Sequence, residues 1–323
     1  MTEDRSPRAR SSTSRRRPSP SSAPSAPASS TSNSAGEPGE VLTSLPGSLG
    51  AGALREVARR HGIRPTKSLG QNFLIDPNLA RAIAAEAGVG PGDRVVEVGA
   101  GLGSLTMALA ATGAEVLAIE FDRALIPALT EVVGSVANVR ILHADATKLD
   151  WAATLGDAGA WTLCANLPYN VAVPVVMEAL ASAPAVQRLV VMVQREVGER
   201  LAATPGDEHY GAVSVKVAYR ARATVTRRVP STVFWPKPSV DSVVVRLERL
   251  PSPAVDVDAA SLWRVVDGAF GERRKTMRNA LRRLDLPATE ADAILTATGV
   301  AASARPEELD LATFAAIASA VPA

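Results

Sequence analysis

Two short stretches hold the residue types best suited to chemistry. In Asn166-Leu167-Pro168-Tyr169, an amide, a rigid turn and an aromatic follow the apolar run 161–165. Strand ends of this kind are where α/β proteins bind ligands. In Gly99-Ala100-Gly101-Leu102-Gly103, three glycines follow the run 93–98 and let backbone approach a ligand closely. Glu120 and Asp145 close the next two apolar runs, 114–120 and 138–145. A carboxylate at the first position can accept both hydroxyls of a ribose, and one at the second can accept a hydrogen bond from an adenine amine. Singly, each is a helix cap or a solvated loop residue. Glu97, Glu120, Asp145 and Asn166 end successive strands, and in register along one sheet edge they describe a nucleoside site.

The tetrapeptide suits an exocyclic amine. The lone pair of an adenine N6 is delocalised into the ring, so the nitrogen is a poor nucleophile. The Asn166 side-chain oxygen and the Leu167 carbonyl, fixed around the amine, would hold its hydrogens and favour a pyramidal nitrogen. They would also stabilise the positive charge that develops there. Pro168 stiffens the turn, and Tyr169 offers a face for the base in a chain only 4% aromatic. Phe234, in the proline-bracketed stretch Ser231–Ser242, is expected either to lie over Tyr169 as a second catalytic aromatic or to pack in the core.

These residues need a scaffold. Continuous Val/Ile/Leu runs at 93–98, 114–120, 138–145, 161–166 and 188–194 alternate with helical periods, which predicts a parallel sheet buried on both faces. Runs at 224–230 and 240–247 predict an antiparallel pair at the sheet edge. Beyond Pro253 only helical patterns remain, read as a small separate bundle. Residues 1–50 are Ser, Pro, Ala and Arg with little to bury, a tail expected to be disordered. Its lack of bulky apolar residues argues against a mitochondrial presequence and against a secretory signal.

The composition narrows the class. The chain has 323 residues, 46% hydrophobic, with no apolar run long enough to span a bilayer. Its one cysteine, Cys164, can form no internal disulfide, so a reducing compartment, the cytoplasm, is expected. Three scattered histidines (His61, His143, His209) and that thiol give no metal-ligand spacing, so no metal is expected. The glycine spacing also departs from the Gly-x-Gly-x-x-Gly of dinucleotide binders, which disfavours a dehydrogenase.

Taken together, the glycine loop, Glu120 and Asp145 resemble the class I S-adenosylmethionine-dependent methyltransferases. Asn166–Tyr169 resembles the (Asn/Asp)-Pro-Pro-Tyr segment of enzymes that methylate exocyclic amines. With "KSLGQNFLID" (67–76), "GDEHYGAVSVKVAY" (206–219), "FWPKPSVDS" (234–242) and "FGERRKTMRNAL" (270–281), the chain from about residue 55 is similar to the ribosomal RNA adenine N6,N6-dimethyltransferases. The bacterial small-subunit branch, which modifies two adjacent adenines in the 3′-terminal hairpin loop of 16S rRNA, is the nearest. The resemblance implies an α/β, Rossmann-like class I methyltransferase domain over 51–250 and a small all-helical RNA-binding domain over 254–323. It also implies S-adenosylmethionine as cofactor, bound by Asn72, Leu74, Gly99, Gly101, Glu120, Asp145 and Asn166, with Asn166, Leu167, Pro168 and Tyr169 catalytic. Ala100 stands where the family often has proline, and the tail has no counterpart.

An RNA partner fits the charge pattern. Net charge is only +2, but Arg273, Arg274, Lys275, Arg278, Arg282 and Arg283 crowd one segment. Arg274, Arg278 and Arg282 recur every fourth residue beside an apolar face of Met277, Leu281 and Leu284. A solvated helix face is the bland alternative; phosphate contact is the functional one. The expected partner is 16S rRNA in the small subunit or its precursor, and a monomer with no membrane contact is expected. Two alternatives stay open: a 23S rRNA adenine dimethyltransferase conferring antibiotic resistance, and a mainly non-catalytic small-subunit assembly factor.

Overall fold

The computed structural model describes residues 49–66, 69–156, 159–271 and 275–322. The tail expected to be disordered lies outside the described residues, apart from Leu49 and Gly50. The described residues belong to one compact unit.

The strands are β1 (Phe73–Leu74), β2 (Arg94–Val98), β3 (Glu115–Glu120), β4 (Val139–His143), β5 (Trp161–Asn166), β6 (Val186–Gln194), β7 (Ala221–Val229), β8 (Phe234–Trp235) and β9 (Ser242–Arg249). Among the described residues, seven of them form one sheet in the order β4-β3-β2-β5-β6-β9-β7, and β1 pairs with β8 apart from it. Strands β2 to β6 run parallel, whereas β9 pairs antiparallel with both β6 and β7. The edge pair read from the sequence is therefore present, with β7 outermost. Strand order reverses between β2 and β5, so the loops after these two strands diverge and leave a crevice at their C-terminal ends.

Helices cover both faces. On the amino-terminal side lie α1 (Ala51–Arg60), α2 (Pro77–Ala87), α3 (Ser104–Ala110) and α4 (Ile126–Val133). Then come α5 (Trp151–Leu155), α6 (Ala172–Ser182), α7 (Arg195–Ala202) and α8 (Ala212–Arg220). Side chains alternate across β2: Val95 joins a cluster with Ile83 of α2 and Leu109 of α3, while Val96 and Val98 join one with Val175 and Val176 of α6. Two-sided burial is why these strands read as unbroken apolar runs. Local chemistry sets the helix ends. The Asp76 carboxylate caps α2 by accepting from the N–H groups of Asn78 and Leu79, Pro77 occupies the first turn, and Gly88 ends it at φ 64°.

The carboxy-terminal helices are α9 (Ala259–Phe270), α10 (Met277–Arg282), α11 (Ala288–Ala297) and α12 (Leu311–Ala320). Their apolar faces do not close on one another alone. Val215 and Tyr219 of α8 are buried in the same cluster as Leu262, Val266, Leu281 and Phe314. Tyr219 also meets Trp263 edge-on at 5.1 Å and donates its hydroxyl to the Val257 carbonyl at 2.8 Å. Among the described residues no helix is long and apolar enough to cross a membrane.

Candidate active site

A single cleft at the C-terminal ends of β2, β3 and β5 is lined by all the residues expected to bind the cofactor: Asn72, Leu74, Gly99, Gly101, Glu120, Asp145 and Asn166. Leu167, Pro168 and Tyr169 line it too. The glycine loop and the tetrapeptide abut because β2 and β5 are neighbours. A Cβ added at Gly99 would stand 3.4 Å from Pro168 Cδ and 3.8 Å from the Asn166 carbonyl oxygen. At Gly101, φ is 59° and an added Cβ would come within 3.2 Å of the Phe73 ring. Only glycine leaves this backbone unstrained and clear of that ring.

Glu120 organises the second edge of the cleft. Its carboxylate accepts from the Gly101 N–H at 2.7 Å and from the Asp122 N–H at 2.8 Å, so it ties the glycine loop to the turn after β3. Burial pushes its pKa up, and these backbone N–H bonds oppose that shift. Each oxygen keeps a further lone pair for a ligand hydroxyl. Asp145 accepts from both the N–H and the hydroxyl of Thr147, at 3.0 and 2.7 Å. The Thr147 hydroxyl, with nearby Lys148, holds this carboxyl below its ordinary range. Beneath them Glu97 is 1% exposed and accepts from the Thr106 hydroxyl at 2.6 Å. Burial pushes its carboxyl up to about 8, with the charge on Glu120 adding to the shift.

The orientation of Asn166 follows from its partner. Its Nδ2 donates to the backbone carbonyl of Asn72 at 3.1 Å. A carbonyl accepts only from the NH₂ side of an amide, which fixes which atom is nitrogen and leaves Oδ1 without that neighbour. Asn72 in turn donates its own side-chain NH₂ to the Gly70 carbonyl at 3.1 Å. The Leu167 N–H is held by the Met192 carbonyl at 3.0 Å and the Val171 N–H returns to Pro168 at 3.1 Å, so the turn is pinned on both sides. The half-buried Tyr169 shares a 3.0 Å hydrogen bond with the Ser242 hydroxyl, and burial pushes its phenol up.

Phe234 takes the core position of the two foreseen for it. It is 3% exposed, is absent from the cleft wall and lies in a cluster with Leu74, Met192 and Val244. The reason is β-pairing: Leu74 and Phe234 are register partners in β1–β8, which draws the ring under the strand pair. Its neighbour Trp235 instead packs on Phe73 with ring centroids 6.0 Å apart.

Several cleft residues escaped the sequence reading. Gln71 donates to Asp122 at 2.7 Å across the cleft mouth. Phe121 also lines the cleft yet is 58% exposed, an unusual place for a phenylalanine. Its position directly after a strand-end carboxylate was a usable signal. Ser242, outside the cleft wall but bonded to Tyr169, offered none, because that contact spans 73 positions.

Of the basic residues, Arg273 and Arg274 lie outside the described residues. Helix α10 begins at Met277 with Thr276 as an extended N-cap, so Lys275 precedes the helix and the predicted fourfold stripe is helical only from Arg278. Arg278 makes a two-pronged ion pair with Asp292, at 2.6 and 2.7 Å. Lys275 and Arg282 are exposed.

The geometry has counterparts. A family model described as Ribosomal RNA adenine dimethylase matches residues 63–321. Ribosomal RNA small subunit methyltransferase A of Thermobifida fusca is 46% identical over 274 residues, 83% of this chain and 94% of that protein. The protein of the same name from Cutibacterium acnes is 45% identical over 288 residues, covering 86% and 96%. Among solved structures, a dimethyladenosine transferase from Plasmodium falciparum superposes with a TM-score of 0.65 at 23% identity, covering 76% of this chain and 95% of its own. The 23S rRNA methyltransferase ErmE gives 0.59 at 23%, covering 77% and 99%. At that identity the two structures speak to the fold alone, and the fold is that of a Rossmann-like methyltransferase.

Proposed function

This chain belongs to the ribosomal RNA adenine dimethylase family, and from that premise we propose that it dimethylates adenine N6 amines of small-subunit ribosomal RNA with S-adenosylmethionine. The targets are two adjacent adenines in the 3′-terminal hairpin loop of 16S rRNA, modified during small-subunit biogenesis in the cytoplasm. The small subunit is favoured over 23S rRNA by the names of relatives near 45% identity spanning most of the chain.

The cleft suits that cofactor. Glu120 lies at a strand end with acceptor capacity left for ribose hydroxyls. The glycine loop keeps free the volume that a Cβ at Gly101 would fill. Glu120 and Asp145, the latter held below its ordinary range by Thr147 and Lys148, supply negative potential to a ligand that carries a sulfonium charge and no phosphate. When bound, S-adenosylmethionine supplies an electrophilic methyl group. Asn166 Oδ1 and the Leu167 carbonyl accept the two amine hydrogens, and their partial charge stabilises the positive nitrogen as it forms. Tyr169 stacks on the flipped base. An N-methylated ammonium is acidic, so its proton leaves to water and no base with a tuned pKa is required.

The observation that carries this assignment is the Asn166 amide, oriented by the Asn72 carbonyl, on a residue whose backbone carbonyl borders Gly99. Its test is Asn166→Ala, assayed on small-subunit particles with mass-spectrometric mapping of modified adenines. Methylation should vanish while cofactor affinity stays within a few-fold. Full activity in the variant would remove Asn166 from the reaction. If subunit binding and growth are restored by a catalytically dead variant, the assembly-factor role outweighs catalysis.

A further inference from the structure

Ser242 is a buried hydroxyl that no step above uses. It opens β9, is 1% exposed and is register partner to Gln194 on one side and Val229 on the other. Its backbone therefore has no freedom to drift. The residue before it is fixed as well: the Asp241 carbonyl accepts from the Arg195 N–H at 3.0 Å, and its side chain accepts from the Ser231 N–H at 2.9 Å. Into this frame projects the phenol of Tyr169, whose oxygen lies 3.0 Å from Ser242 Oγ. Among the described contacts, this is the phenol's one hydrogen bond.

The geometry assigns Ser242 as a positioning residue for the base that accepts the methyl group. The assignment rests on Tyr169 being the stacking platform. A phenol oxygen lies on the long axis of its ring, so anchoring it fixes where that axis points. The phenolic proton prefers the ring plane, which biases the tilt of the face as well. Pro168 fixes the near end of the same side chain's backbone, and Ser242 fixes the far end. A ring held at both ends presents one face at one height, so a base stacked on it meets Asn166 without a search over ring orientations. The anchor is also specific to the segment it comes from. The stretch 236–241 leads from β8 directly to Ser242, so the wall formed by β1 and β8 and the stacking platform share one short connection.

The test is a double-mutant cycle read in kinetics and in a spectroscopic signal. Ser242→Ala, Tyr169→Phe and the double variant are compared on the RNA substrate, with cofactor affinity and thermal melting measured in parallel. A 2-aminopurine at the target position reports stacking of the flipped base. Losing one such hydrogen bond is expected to lower kcat about five- to tenfold in either single variant. The double variant should be no worse than either, Ser242→Thr should restore most of the rate, and cofactor affinity should not move. The 2-aminopurine quenching should weaken in Ser242→Ala. Multiplicative losses in the double variant, or an unchanged rate in Ser242→Ala while Tyr169→Ala is inactive, would overturn the assignment. An active Tyr169→Ala would instead overturn the platform itself, which is a separate failure.

Discussion

The Asn166 side chain donates to the Asn72 carbonyl at 3.1 Å, joining residues from opposite walls of the cleft. The polarity of the Asn166 amide is thereby set by a main-chain atom, which substitution at position 72 cannot remove. An amide is required at 166 for the same reason, since a carboxylate would turn an oxygen toward that carbonyl. Asn166→Asp is therefore expected to lose at least tenfold in kcat although it keeps an acceptor, because the lost bond and the new repulsion together exceed about 1.4 kcal/mol. Single-turnover methylation measures it; a rate equal to the parent would show that the Asn72 contact does not orient the group.

Glu120 holds two N–H groups that have no other partner among the described residues, those of Gly101 and Asp122. Glu120→Ala strands both in a largely buried site. The expected cost is about 2 kcal/mol of stability, with cofactor affinity lowered by tenfold or more. Calorimetric titration together with denaturant melts will separate the two effects. A variant that binds normally would show that the carboxylate serves only the loop.

Gly101 sits at φ 59° with the Phe73 ring in the way of any Cβ. Gly101→Ala pays about 1–2 kcal/mol for the left-handed backbone and pushes Phe73 from its place beside Trp235. Melting temperature and cofactor affinity should both fall. An alanine variant with unchanged affinity would show that the Phe73 wall can yield without consequence.

The Glu97 carboxyl is pushed up to about 8 by burial, well above an exposed glutamate. Between the unfolded value near 4.5 and that folded value, the native state keeps a proton that the unfolded chain has lost. Its contribution to stability is full below the lower limit and declines as pH rises through the window. Glu97→Gln stays neutral throughout, so it should gain on the parent progressively from pH 5 to pH 8 in thermal melts. Parallel curves for the two proteins would contradict the shift.

In the basic segment, the charge of Arg278 is already matched by Asp292, whereas Lys275 and Arg282 are exposed. Lys275→Ala and Arg282→Ala should each weaken RNA binding across sequences and reduce the salt slope by about one. Arg278→Ala should do less. Titrations at several salt concentrations decide it, and equal slopes for all three would place the RNA elsewhere.

Much of the site was legible because a parallel sheet delivers successive strand ends to one edge. Glu120, Asp145 and Asn166 could be placed together from apolar runs alone, and β3, β4 and β5 fall where those runs do, with Asp145 just past the end of β4. Contacts between distant segments were not legible. Nothing in the pattern around Phe234 tells a ring that covers a base from one that a two-residue strand pair pulls inward. The same holds for Val215 and Tyr219, which complete the carboxy-terminal core from a helix that reads as part of the sheet domain. Short helices such as α5 and α7 were also missed, since one or two turns give too little periodicity to recognise.

The β1–β8 pair joins Phe73 to Trp235, residues separated by half the chain. During synthesis the amino-terminal half of that pair emerges long before its partner strand exists, so until then the segment carrying Asn72 is held by its contacts with the glycine loop, Asp122 and Asn166. A nascent chain that has made β2 to β5 already carries the glycine loop and Asn72, but the wall that steers Asn166 still lacks the β8 half that backs it. Competence thus waits on a strand made well after the loop it supports, and a product truncated ahead of residue 234 would be inert rather than partly active.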